Sequence, residues 1–567
     1  MLQQARKIFF QNISTINTLI LSGLMGCLLI KKGPIGYELF YTGGLFLLLT
    51  LLNIRRLLKP VSLAFNPIDN CFLALIAYMS IREVFSSSPD FLSYQFLGLL
   101  IGSYGYFLTR NLRHTIQWNL LLMSCFGFMT VIFLVFLLEG QMLWIDVGVL
   151  GEKNNAAVVG LIFVSSLFGI AGDNKTTIKR LLKYGLFAIA LLYFVYAKSR
   201  TGIMCLGILS VLPLLLKQKP IIKYSLSVGG LLILAITFWQ FKPASILGRF
   251  VLWKYSFQRI PSNPLFGEGL GSFGHLYNKS ILQSLESNQY QGAIIEQIGE
   301  VNELIFNDLL QLYFELGGLG LMLFLLVLTQ VFKFGNQVSK HLGVLIISAL
   351  LVPLLFQYPL ELHKTLVLIF LIFSFISAQT TFKHPLTKSK DFQPMLSLIF
   401  IGTIAILFFS RLYYYKNWEN AIHALEEKQI ALAQKHYDRS EAGLLKNPEF
   451  LYNQGRHYKK LNNYNKALTC FKKAAEIKLT HSLLLNLADA YEKKGSIDQA
   501  VKSYQYADAI RPFTFYAKYR LFLIHYNRQN RPAYTQLGQS IMDAPVRVHS
   551  LATDKIKADV KRKILQN

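Results

Sequence analysis

Long apolar runs divided by short polar breaks fill the chain up to about residue 411. Roughly 18–20 apolar residues in a row suffice for a helix to cross a bilayer. The runs do not alternate apolar with polar residues, so they predict membrane helices and not barrel strands. About thirteen spans emerge, near 13–30, 36–53, 70–86, 92–108, 116–138, 155–172, 182–198, 202–216, 221–239, 308–332, 341–357, 365–382 and 395–411. One polar break is long, 240–307. From about Asn417 the pattern turns charged and amphipathic, with the spacing of paired helices. The expected fold is therefore all-α: a polytopic membrane helix bundle followed by a soluble α-solenoid.

Charge assigns the sides. One alternate set of loops holds Arg6, Lys7, Arg55, Arg56, Lys59, Arg110, Arg113, Lys175, Lys179, Arg180, Lys183, Lys217, Lys219, Lys223, Lys333, Lys340, Lys383, Lys388 and Lys390. The short loops of the other set hold little beyond Lys31, Lys32, Lys153, Arg200 and Lys364. Positive charge marks the cytoplasmic side, so the N-terminus is expected in the cytoplasm and the loop 240–307 and the C-terminal region outside it. The net charge of +27 is thus a matter of topology and of the tail, which argues against nucleic acid as a partner. Cys27, Cys71, Cys125, Cys205 and Cys470 stand singly, with no Cys-x-x-Cys pair, so neither a disulfide framework nor a zinc site is indicated. The first apolar run lacks a small-residue cleavage site and is read as a retained anchor.

The tail repeats with a period of about 34 residues. One unit carries Gly455, Tyr458, Ala467, Phe471 and Ala474; the next carries Ala488, Tyr491, Gly495, Ala500, Tyr504, Ala507 and Pro512. A weaker unit precedes them at Ala421, Ala433, Tyr437 and Ser440. The pattern resembles the tetratricopeptide repeat. In that architecture small residues let paired helices approach and aromatics fill the space between them, and a degenerate pair near 515–543 would cap the stack. Such a solenoid commonly presents a surface to a peptide or protein; a rigid spacer or oligomerisation arm is the plainer role.

The candidate chemistry lies on the expected outer side. Lys198-Ser199-Arg200-Thr201-Gly202 separates two closely spaced spans. The long loop holds Arg249, Trp253 and the turn Asn263-Pro264-Leu265-Phe266-Gly267-Glu268-Gly269-Leu270-Gly271-Ser272-Phe273. Then come Phe306-Asn307-Asp308-Leu309-Leu310-Gln311 and Glu315-Leu316-Gly317-Gly318-Leu319-Gly320. In this order the motifs resemble the bacterial O-antigen ligase/polymerase superfamily, which includes O-antigen ligases, O-antigen polymerases and protein O-oligosaccharyltransferases. The resemblance covers roughly 15–410 and concentrates in 150–320. It implies an inner-membrane glycosyltransferase that moves a saccharide from an undecaprenyl-diphosphate carrier to a periplasmic acceptor: a protein hydroxyl, lipid A core or a growing polysaccharide.

The residues suit that chemistry. An acceptor hydroxyl attacks the anomeric carbon and the lipid diphosphate leaves with growing negative charge. Arg200 and Arg249 offer permanently charged, forked donors for its oxygens. Preorganised charge of this kind can replace a metal ion. No Asp-x-Asp pair marks the outer side, so neither a metal nor a cofactor is expected. The structural rivals are a snorkelling role for Arg200 and a loop ion pair for Arg249. Lys198, Trp253, Gly267, Gly269, Gly271, His275, Asn307 and Glu315 are the candidate substrate-binding residues. The three glycines follow no predicted strand, so they do not read as a dinucleotide fingerprint.

One position departs from the family. Its ligases carry His-Asn, then nine residues and Gly-x-x-Gly; here Asn307, Gly317 and Gly320 keep the spacing but Phe306 replaces the histidine expected to act as base. Phenylalanine takes no proton. A carboxylate substitutes (Glu303 or Asp308 by loop position, with Glu315 less favoured), or the good leaving group needs little base, or the protein is an inactive relative. His275, His363 beside Glu361, and Gly151-Glu152-Lys153-Asn154-Asn155 are further outer-side positions, each with a simpler role as a solvated side chain or helix cap. The expected domains are a ligase domain over 1–412, a periplasmic repeat domain over 413–545 and a basic tail over 546–567. The rival functions are a lipid-linked glycan transporter and a non-catalytic scaffold of an envelope polysaccharide complex.

Overall fold

The computed structural model of the chain describes residues 13–22, 24, 37–57, 65–85, 94–112, 116, 185, 187–188, 191–192, 195, 200–215, 243–259, 263–292, 294–295, 304–338, 341–360, 363–380, 392–546 and 550–565. Every regular element among the described residues is a helix. The first are α1 (Ile13–Ser22), α2 (Tyr37–Leu57), α3 (Pro67–Val84), α4 (Tyr94–Asn111) and α5 (Arg200–Leu215). The stretch read as the long loop carries α6 (Pro243–Arg259) and α7 (Phe273–Glu286). There follow α8 (Asp308–Val338), α9 (Leu342–Phe356), α10 (His363–Gln379) and α11 (Phe392–Glu426).

Helices α2 to α5 and α8 to α11 begin within a few residues of the predicted spans. Among the described residues α8 alone is both long and apolar enough to cross a membrane; α1, α9, α10 and part of α2 are shorter apolar helices. The predicted spans at 116–138, 155–172 and 221–239 lie outside the described residues, apart from Ile116. The described residues therefore do not reach the count of thirteen.

Helix α8 packs on α3 and α9, α4 lies between α2 and α10, and α5 rests on α9. Phe72, Tyr106, Val331, Phe370, Phe373 and Ile376 fill a core shared by α3, α4, α8, α9 and α10. The opposite face of α8 exposes Met322, Leu325, Leu326 and Phe332. Those positions follow a helical period, so one whole apolar stripe is left outside the protein core.

One end of this bundle holds a closed polar cluster. Asn66 caps α3 by accepting the Asp69 N–H, and the Asp69 carboxylate accepts the Asn66 N–H in return. The same carboxylate pairs with Arg110 at 2.6 Å and accepts from Tyr106 and Ser377 at 2.7 and 2.8 Å. A buried charge persists when it is both paired and hydrogen-bonded, and here three helices contribute to that.

At 35 residues, α11 is about 52 Å long. It runs without a break past the expected boundary at 412–413 and ends inside the solenoid core, where Trp418 and Ala421 are buried beside Tyr437 and Phe450. The Arg411 guanidinium lies over the Tyr415 ring along it. The solenoid continues with α12 (Ile430–Leu444), α13 (Pro448–Lys460), α14 (Tyr464–Ile477), α15 (His481–Lys494), α16 (Ile497–Ile510), α17 (Phe515–Asn527) and α18 (Arg531–Asp543). The repeat positions behave as their sizes require: Ala433, Ala467, Ala474, Ala488, Ala500 and Ala507 are fully buried. A side chain at Gly455 would run into the Phe471 ring.

The region read as a basic tail contains a helix, α19 (Leu551–Leu565). Ile556, Val560 and Ile564 recur at the helical interval and pack with Phe522, Tyr534 and Ile541. This helix, and not the 515–543 pair, closes the stack.

Candidate functional site

The turn 263–272 and the broken start of α8 are one unit. Asn263 shapes the turn by accepting the Leu265 and Phe266 N–H groups on its side chain and the Gly267 N–H on its carbonyl. The turn then pairs with α8 backbone to backbone: Glu268 N–H donates to Phe314 O at 3.1 Å and Gly269 N–H to Glu315 O at 2.8 Å. In return Gly318 and Leu319 donate to Pro264 O and Leu265 O at 2.8 and 3.2 Å. These bonds replace those α8 forgoes at Gly317, whose φ of 68° and ψ of −175° break the helix in a region open essentially to glycine alone.

Two side chains of α3 complete the junction. Tyr78 donates its hydroxyl to Leu316 O at 2.6 Å, and Arg82 donates to Phe266 O at 2.9 Å and to Gly267 O. Sequence reading missed both. The available signal was Arg82 inside an apolar run, where a cation needs a partner.

The Arg249 site is separate. Helix α6 runs beside the first segment of α8: Arg249 meets Phe306, Trp253 Nε1–H donates to Ile305 O at 2.9 Å, and the Phe257 ring lies 5.3 Å from that of Phe314. Arg249 thus stands at the Asp308 end of the segment and the glycine turn at the Gly317 end. Nine helical residues put those ends about 13 Å apart. Arg249 and the glycine turn are thus joined through this segment of α8 and do not touch each other directly in the contacts described.

Around Arg249 the geometry is specific. Its Nη1–H donates to Phe356 O at 2.8 Å, and Cζ stands 5.3 Å from the centre of the Phe306 ring. Phe306 in turn meets Tyr358 edge to face at 5.6 Å. Its φ of 55° is an outlier for a bulky residue, a conformation costing about 1–3 kcal/mol. Asn307 is buried and caps α8, its side chain accepting the Leu310 N–H at 3.0 Å. The Asp308 carboxylate is 1% exposed and accepts the Leu360 N–H at 2.8 Å. Glu315, also buried, accepts from Gln311 at 3.1 Å. Both carboxylates are therefore built into the framework of α8. The side-chain amide of Gln357, between the Arg249 acceptor and Tyr358, is buried and has no hydrogen-bond partner among the described residues.

Arg200 occupies the first position of α5, which packs on α9, the helix that ends at the Arg249 acceptor Phe356. The Arg200 and His363 side chains, Lys198, Glu303, Glu361 and residues 151–155 lie outside what the structure describes.

His275 belongs to a different surface. Helix α7 packs on α16 of the solenoid, and Tyr277, Ile281 and Phe314 share a core with Leu479, Leu484 and Ile510. His275 Nδ1 accepts the Leu479 N–H at 3.2 Å, and Asn278 Nδ2–H donates to Leu479 O at 2.7 Å. Tyr290 donates to Ala509 O at 3.0 Å, and Glu286 pairs with Lys502 at 3.1 Å and accepts from Tyr506. Burial, aided by Lys279, pushes the His275 pKa below its ordinary value. An imidazole accepting at Nδ1 and held neutral serves the contact with the tail, not a substrate hydroxyl near Arg249.

Comparison with known proteins agrees with two parts of this picture. Residues 185–325 match the family model described as O-Antigen ligase, a span that includes Arg200, α6, the turn and the break in α8. Residues 448–481 and 481–514 each match a Tetratricopeptide repeat model, one for α13 with α14 and one for α15 with α16. No curated protein matches the chain. Among solved structures, the "Crystal Structure of the Yeast Tom70" aligns with 12% identity over 83% of this chain and 96% of that one. Its TM-score of 0.25 is too low to support any argument about fold. The chain is thus similar to the O-Antigen ligase family over 185–325 and to tetratricopeptide repeats over 448–514.

Proposed function

We propose that this protein is an inner-membrane glycan ligase that transfers a saccharide from an undecaprenyl-diphosphate carrier to an acceptor on the periplasmic side. The observation carrying the reading is the Arg249 guanidinium, fixed at the start of α8 within the region that matches the O-antigen ligase family. In this reading Arg249, with Arg200 from the adjoining α5–α9 unit, meets the diphosphate oxygens and stabilises the leaving group without a metal ion. The acceptor is a protein hydroxyl, lipid A core or polysaccharide. A carboxylate, Glu303 or Asp308, takes the acceptor proton, or the diphosphate leaves readily enough to need little base help; Asp308 is at the same time held by the Leu360 N–H.

Helix ends given the same side by the charge pattern support the assumed topology. Asn66, Arg110 and Ser377, all expected at cytoplasmic ends, meet in one cluster. Arg82, expected towards the outer end of its span, and Phe266, expected in the outer loop, meet in another, with Tyr78 one helical turn deeper. The exposed apolar stripe of α8 suits contact with lipid. The packing of α7 on α16 suggests a role for the solenoid: it holds an acceptor or partner protein at a fixed distance from the ligase site.

The test is transfer in a strain lacking the chromosomal gene, complemented by Arg200→Ala or Arg249→Ala. Loss of one class of surface glycan, with accumulation of its lipid-linked donor and normal protein levels, is expected for each. Full transfer by both variants removes the arginine mechanism. A reporter fused at residue 270 that reads as cytosolic removes the whole proposal.

A further inference from the structure

We infer that Phe306 is a positioning residue for Arg249, its ring fixing the face of the guanidinium so that the forked edge is presented to the anionic group of the donor. The inference rests on the ligase reading above and deepens it. Two contacts from different segments tether the guanidinium: the Phe306 ring, with Cζ 5.3 Å from its centre, and Phe356 O, which accepts from Nη1 at 2.8 Å. An aromatic face attracts the delocalised cation while leaving the in-plane N–H groups to hydrogen-bond. A guanidinium recognises phosphate oxygens through those in-plane groups, so fixing its face sets the direction of recognition.

The surroundings hold the ring where this requires it. Tyr358 packs against it edge to face. The next residue, Asn307, is fixed as the cap of α8, and Asp308 after it is tied to the Leu360 N–H. The Phe306 backbone has a φ of 55°, which asparagine or glycine would adopt with less strain. A bulky aromatic side chain kept at such a position is what a demand for the ring itself produces.

The test measures donor KM and kcat separately, using lipid-linked glycan extracted from the deletion strain. The variants are Phe306→Leu, Phe306→Tyr and pentafluorophenylalanine at 306, the last keeping the shape while reversing the charge of the ring face. Leu and the fluorinated ring are expected to raise donor KM about three- to thirtyfold, with Tyr close to wild type and melting temperatures unchanged. Wild-type donor KM in the fluorinated variant, or equal losses in Tyr and Leu, overturns the inference. Arg249→Ala is run alongside. If it retains transfer, the Arg249 role assumed in the ligase reading has failed, and the positioning role with it; if it is inactive while the 306 series is flat, only the positioning role has failed.

Discussion

Gly267 and Gly317 sit where the glycine turn and the break in α8 meet, and a side chain on either would run into the backbone of the opposite segment. A Cβ on Gly267 would strike the Glu315 carbonyl and the Gly317 nitrogen, and one on Gly317 would strike the Leu265 carbonyl and the Phe266 nitrogen. Both have positive φ, 69° and 68°. The two glycine motifs are thus halves of a single junction.

Gly317→Ala and Gly267→Ala are therefore expected to lower stability by at least about 1–3 kcal/mol, from strain alone, before the clash with backbone is added. Gly318→Ala is the control, since its Cβ would meet only Pro264 O at an ordinary 3.4 Å. It should be neutral or slightly stabilising. Thermal unfolding in detergent reads all three, and equal melting temperatures across the set would contradict the junction.

Arg110→Met should cost about 3–5 kcal/mol, because it strands the buried Asp69 carboxylate. Adding Asp69→Asn should recover part of the loss by removing the unpaired charge. If the double variant is no more stable than the single one, the cost lies in packing and not in charge.

Docking of the solenoid on α7 should weaken as pH falls. His275, which accepts the Leu479 N–H across that contact, is pushed below its ordinary value of 6.5 by burial and Lys279. A group with a depressed folded pKa favours the docked state fully above its free pKa. That contribution is lost as pH drops below 6.5 towards the folded value. Limited proteolysis between α7 and α15 should accelerate between pH 7 and pH 5, and His275→Gln, which can accept without titrating, should flatten part of the rise. A pH-independent cleavage rate would exclude His275 from docking.

Val560→Asp, which puts a carboxylate into the apolar seam beneath α19, should destabilise the last helix pair by about 3 kcal/mol or more. Hydrogen exchange in the full-length protein should speed up over 515–543 and leave 448–477 unchanged. Uniform exchange would mean that α19 does not close the stack.

Much of the fold was legible in the sequence because its cause is local. Apolar run length predicts α8, α9 and α10, and the interval between Gly455, Ala467 and Phe471 predicts the paired helices. Helices α6 and α7 were not legible. Trp253, Tyr255 and Tyr277 sit among lysines and serines, and their burial depends on Ile305, Phe314 and the solenoid. The α19 seam was hidden by its basic composition, although Ile556, Val560 and Ile564 do keep a helical interval.

By itself the sequence determined an apolar helical bundle, a repeat solenoid, and which residue types were available for binding an anion. Only the tertiary structure decided that Arg249 pairs with Phe306 and not with the glycine turn, that Arg82 and Tyr78 hold that turn, and that His275 serves the tail. Periodicity records how a segment buries one face, and the segment carries that record within itself. A hydrogen bond from Leu479 to His275 or from Arg82 to Phe266 joins positions roughly two hundred residues apart, and no local pattern encodes it.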